Sequence, residues 1–79
     1  MPLTYADIGI WIYMYYEDHN PPHVHIKRAG KEWTMEIKSL KASDGIPNKV
    51  KNFTKNFIEK YRQQLLEMWK TQNIYQIED

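Results

Sequence analysis

All three histidines of the chain fall in one stretch, Asp18-His19-Asn20-Pro21-Pro22-His23-Val24-His25-Ile26. Imidazole titrates near neutral pH without help from its surroundings, and it is the commonest side chain on protein-bound metals. His23 and His25 stand two residues apart at the start of a run that reads as strand, so their rings share one face, about 7 Å apart along it. His19 lies across the Pro21-Pro22 turn, which can fold it back toward the other two. Two chemistries fit. A divalent metal, zinc above all, could sit on His23 and His25 with His19 or Asp18 as third ligand and an open place for water. That requires the donor atoms to converge to about 2.1 Å from one point. Without a metal, His23, His25 and His19 could supply the base and acid of phosphodiester cleavage, with Lys27 or Arg28 offsetting charge on the phosphorane. The plain alternative is that Asp18 and His19 only bond loop backbone while His23 and His25 are ordinary half-buried strand residues. Whether the chain is an enzyme stays open.

The elements that must position these groups follow from periodicity. Residues 8–16, rich in β-branched and aromatic side chains, predict a strand with Ile8, Ile10, Ile12 and Met14 on one face and Trp11, Tyr13 and Tyr15 on the other. Residues 23–28 predict a second strand, Val24 and Ile26 facing one way and His23, His25 and Lys27 the other. Ala29-Gly30-Lys31 is a tight turn, and residues 32–40 predict a third strand in which Trp33, Met35 and Ile37 alternate with polar residues. Short turns make the three an antiparallel meander. Pro47 suits the first turn of a helix, and Ile46, Val50, Phe53, Phe57, Tyr61, Leu65 and Met68 then recur at spacings of three and four. One helix over residues 47–71 would span roughly 37 Å, which leaves its far end or Leu66 free to meet another chain. Tyr75 and Ile77 alternate in a tail that could add a short edge strand. The expected fold is α+β, one domain over residues 1–79, with a single long C-terminal helix on one face of a three-stranded antiparallel meander. Trp11, Tyr13, Tyr15, His23, His25 and Lys27 are then left on the uncovered face, beside Arg28: a binding platform for RNA or a protein partner, or the seam of a homodimer.

Composition narrows the class. With 79 residues and no cysteine, the chain has no disulfide, no thiolate zinc site and no cysteine nucleophile. A chain this short buries only about two-thirds of the surface its unfolded state exposes, and three Trp, six Tyr and two Phe are what it has to pack. A formal net charge of +1 sets up no global field toward nucleic acid or an anionic membrane. The longest apolar run, Ile8 to Tyr16, falls well short of the roughly 20 residues of a membrane span. No basic stretch followed by an apolar one marks a leader, so the expected compartment is the cytoplasm.

The pattern Gly9-Ile10-Trp11-Ile12-Tyr13-Met14-Tyr15 followed by Asp18-His19-Asn20-Pro21-Pro22-His23-Val24-His25 resembles a bacterial family, domain of unknown function 4160. The likeness continues through Gly45-Ile46-Pro47, where members have Leu-Pro, and through Leu65-Leu66-Glu67-Met68-Trp69 near the end of the long helix. The chain departs from the family in its tail, where Ile77-Glu78-Asp79 lacks the proline of an Ile-x-Pro ending. The resemblance brings no established activity. It implies one half of a small two-gene operon, in the manner of toxin–antitoxin modules, and marks Asp18, His19, Pro21, Pro22, His23 and His25 as a signature without roles. Three functions follow as expectations. The first is a toxin–antitoxin-type or regulatory protein whose aromatic and histidine face meets RNA or a small antitoxin-like partner, with weak RNase activity. The second is a metal-binding module or metal-dependent hydrolase on His19, His23, His25 and Asp18. The third is a homodimeric interaction module.

Overall fold

A computed structural model of the chain describes residues 3–78; Met1, Pro2 and Asp79 lie outside the described residues. Among the described residues four strands, β1 (Leu3–Asp7), β2 (Ile10–Tyr13), β3 (His23–Arg28) and β4 (Lys31–Glu36), form one antiparallel sheet in sequence order, followed by a single helix, α1 (Asn48–Thr71). The class is α+β with one C-terminal helix, but the sheet has four strands rather than three. The 8–16 run is not one strand. Ile8 and Gly9 take φ of 45° and 76° and form the two-residue turn of a β1–β2 hairpin, the primed geometry that matches strand twist. Asp7 Oδ1 accepts the Ile8 N–H at 2.9 Å. Ile8, expected on the apolar floor, is therefore a turn residue with 57% of its surface exposed.

Strand β4 ends at Glu36 rather than near residue 40. The chain turns at Ile37–Ser39 and doubles back, so that Met35 bridges to Ala42 and the Ser43 N–H donates to the Thr34 carbonyl. This return covers the outer edge of the sheet, which would otherwise present unpaired backbone groups. At the opposite edge the tail runs beside β1. It makes one ladder-like bond, Ile77 N–H to Thr4 carbonyl at 2.7 Å, and buries Ile77, without becoming a strand.

Register sorts the two faces. Ile12, Ile26 and Trp33 lie side by side across β2, β3 and β4, as do Val24 and Met35; with Ile10, Met14 and Ile37 these supply the floor under α1. The helix buries Val50, Thr54, Phe57, Ile58, Leu65 and Met68. Ile58 widens the expected stripe by one residue, and Thr54 is tolerated in the core because its hydroxyl donates to the Val50 carbonyl at 2.9 Å. Tyr5 of β1 stacks on Phe57 at 4.6 Å. Pro47, the expected first helical residue, is the N-cap, and the helix starts one position later at Asn48. A straight helix of this length would run about 36 Å, and the long axis of the molecule is 30 Å. The helix is broken at Tyr61 (φ −117°, ψ 20°). Immediately after the break, Arg62 Nε donates to the Ile37 carbonyl at 3.0 Å. Beyond the break, Leu65 and Met68 remain in the core.

Candidate metal centre

The row Trp11, Lys27 and Glu32, then Tyr13, His25 and Thr34, then His23 and Glu36, lies on the sheet face turned away from the core floor. The alternation in β3 thus places His23 and His25 together. They are not openly exposed, however. Their side chains are only 10% and 13% exposed, because the 17–22 loop folds over this end of the face.

The helix end holds that loop down. Gln72, in the left-handed conformation that closes a helix (φ 64°), donates its backbone N–H to the Met68 carbonyl, and its Oε1 accepts the Glu17 N–H at 2.7 Å. Trp69 Nε1 donates to Asn20 Oδ1 at 3.2 Å, with its ring 5.2 Å from that of His23. Clamped in this way, the loop carries Asp18 directly over the two imidazoles. Asp18 Oδ2 lies 2.9 Å from His23 Nε2 and 2.9 Å from His25 Nε2.

The far side of each ring is also fixed. His23 Nδ1 lies 2.7 Å from the Pro21 carbonyl oxygen, which can only accept, so this nitrogen carries the hydrogen. His25 Nδ1 lies 3.0 Å from Glu32 Oε2, and an ionised carboxylate likewise only accepts. Tyr15 stacks on the His25 ring at 4.0 Å and 10° and donates its hydroxyl to the same Glu32 oxygen at 3.2 Å. Burial first, and the Glu32 charge second, push the Tyr15 phenol above its ordinary 10.0, which keeps it a donor. With Nδ1–H fixed on both rings, neutral imidazoles would aim two nitrogen lone pairs at an anionic oxygen. The arrangement is one that a cation between the two Nε2 atoms and Asp18 Oδ2 would satisfy.

Burial works to raise the Asp18 carboxyl. The His25 ring, the His19 backbone N–H and the His23 and His25 charges outweigh it, and the group is held below its ordinary 3.8. Asp18 is therefore anionic throughout the neutral range. One ligand atom each from Asp18, His23 and His25 lies within 4.8 Å of the other two, the one group of donors among the described residues spaced to hold a metal. Ligand atoms around a tetrahedral ion with ~2.1 Å bonds stand about 3.4 Å apart, between the 2.9 Å contacts and that outer limit.

His19 is placed differently. Its ring Nδ1 meets the other Asp18 oxygen, Oδ1, at 3.1 Å, its side chain is 85% exposed, and it is not one of the three converging donors. Trp11 and Lys27 lie farther along the face; Tyr13 is buried, with the Lys27 ammonium 5.0 Å above its ring. Arg28 stands at the hairpin beside Lys31. The sequence analysis gave no role to Glu32, Trp69 or Gln72. Glu32 was within reach, since a two-residue turn at 29–30 sets it diagonal to His25 on one face. Trp69 lay in the Leu65–Trp69 string of the resemblance, and Gln72 carried no signal.

Among the described residues, no helix is long and apolar enough to cross a membrane. No curated protein and no solved structure matches the chain. A family match covers residues 9–70, most of the chain, with Asp18, His23, His25 and Glu32 inside it and Gln72 beyond it. The chain belongs to the family described as Domain of unknown function (DUF4160).

Proposed function

We propose that this chain is a metal-binding module that holds one divalent transition-metal ion, zinc, on Asp18 Oδ2, His23 Nε2 and His25 Nε2. One observation carries the reading: both rings present Nε2 to the same point while Nδ1 is tethered behind them, to the Pro21 carbonyl and to Glu32. Histidines that bind metals are oriented in this way, the second nitrogen donating to a carbonyl or carboxylate that fixes the tautomer and raises the ligand's basicity. Two imidazoles and one carboxylate are the donor set of open zinc sites, and also of ferrous sites with free positions. His23 and His25 form part of the wall of a hollow of about 270 Å³ that Thr34, Glu36 and Lys41 also line. An ion held here with a free position would supply the acidity that turns bound water into a nucleophile.

A metal-free acid–base role for His23 and His25 has less support, because Asp18 engages both Nε2 atoms that would have to exchange protons with a substrate. The test is elemental analysis of protein prepared without an affinity tag, then titration of the metal-free protein with zinc and with ferrous iron. Near one equivalent per chain is expected, lost in His23→Ala and His25→Ala and retained in His19→Ala. Absence of tight binding by either ion, or equal loss in His19→Ala, would defeat the proposal.

A further inference from the structure

A hollow of about 530 Å³ lies at the other end of the same face, around the turns of the β1–β2 and β3–β4 hairpins. Its walls include Trp11, Lys27 and Glu32 of this face together with the β3–β4 turn, whose flanking pair Arg28 and Lys31 closes the hollow at the end of the hairpin. Three cations and one carboxylate thus border it in a chain whose whole net charge is +1. The volume falls within the range of small-molecule sites. Both turns are closed by glycines, Gly9 and Gly30, at which an added Cβ would meet nothing within 4 Å; the hollow is therefore open above the backbone.

Trp11 is 49% exposed, an indole left half in water in a chain that buries most of its large apolar side chains. It lies directly across from Lys27, whose ammonium is 3.7 Å from Glu32 Oε1 and 5.0 Å above the Tyr13 ring. The cation, on the strand next to that of Trp11, is thus directed to Glu32 and Tyr13. An exposed flat ring next to clustered Lys and Arg suits a ligand with an aromatic base at one end and a phosphate at the other. An inorganic anion would use the cations and leave Trp11 unexplained; an apolar peptide would use Trp11 and leave the cations unexplained.

We propose that this hollow binds a nucleotide, its base stacked on Trp11 and its phosphate among Lys27, Arg28 and Lys31. The ligand is either a free nucleotide or one unit of a single RNA strand. The proposal does not depend on the metal reading, since no metal-ligand candidate lines the hollow.

The experiment is fluorescence anisotropy of a labelled single-stranded RNA of about ten nucleotides, the size one small domain covers, on the full chain at low salt. Adenosine monophosphate and inorganic phosphate serve as competitors. Trp11→Ala is expected to weaken binding by about 5-fold to 100-fold, the effect of losing one stacked base. Arg28→Gln and Lys31→Gln should each lower the slope of log affinity against log salt by about 0.7. Displacement by the mononucleotide identifies a free nucleotide as the ligand; failure to displace, with Trp11 still required, identifies the strand. Absence of RNA and mononucleotide binding overturns the proposal. So does wild-type affinity in Trp11→Ala of unchanged circular dichroism, or displacement by phosphate as effective as that by the mononucleotide. Chelator-treated protein should bind RNA unchanged, which separates this result from any failure of the metal site.

Discussion

At one end of the sheet face, the Asp18, His23 and His25 side chains are 12%, 10% and 13% exposed, and each ring nitrogen of the two histidines has an oxygen partner. At the other end Trp11 is half exposed, and Arg28 and Lys31 flank an open turn. The same β3 strand serves both. The difference comes from what covers it: the 17–22 loop, fastened to the end of α1 through Trp69 and Gln72, covers the first end, and the second end carries only its hairpins. A covered, preorganised end suits an ion that demands fixed donors, and an uncovered end suits a ligand that brings its own flat surface. Glu32 joins them, with Oε2 on His25 and Tyr15 and Oε1 facing Lys27.

The comparison breaks most decisively at Asp18. Asp18→Ala should abolish near-stoichiometric zinc binding, read by titration with a chromophoric competitor, and leave RNA binding at the hairpin end unchanged. Loss of both would mean that the two ends are one site. Next in size is the shared core. Ile58 of α1 is fully buried, so Ile58→Ala should cost about 2–5 kcal/mol in urea unfolding and depress both proposed binding activities through the folded fraction alone. Glu32→Gln should lower zinc affinity by about 10- to 100-fold, as removal of a ligand's outer partner does, with a far smaller effect on RNA; calorimetry of both ligands reads the contrast. Gly30→Ala should cost about 1–2 kcal/mol of stability, because Gly30 sits at φ 79° with open space around it and the penalty is backbone alone. It should spare the metal end entirely.

The smallest effect is on acid stability. The folded pKa of Asp18 lies below its ordinary 3.8. Its contribution to the stability of the metal-free protein is complete above that value and is lost as pH falls through the folded pKa. Asp18→Asn should therefore differ from wild type most near neutral pH and converge with it in acid, as urea midpoints across that range would report.

The site was legible in the sequence where parity decides it. Two residues of separation in β3 put His23 and His25 on one face, and no tertiary contact could change that without flipping Val24 and Ile26 out of the core. The helix was legible for the same reason, its period running from Val50 to Met68. The first hairpin was not, because Ile8-Gly9 sits inside an apolar run and a β-branched residue at positive φ is rare. Asp18 as the shared partner of both rings depended on a loop held by Gln72, Trp69 and Asn20, contacts spanning up to 55 positions that no local pattern encodes. Of the candidates on the open face, Tyr13 and Tyr15 have packing roles, Tyr13 under Lys27 and Tyr15 against His25 and Glu32.

Nitrogen NMR of the histidine rings, recorded with and without one equivalent of zinc, tests the central claim most directly. The account predicts Nδ1–H on His23 and His25 in both states, with the Nε2 resonances of those two rings shifting to metal-bound positions and His19 unchanged. Ligation through Nδ1, or a response from His19 equal to that of the other two, would contradict it.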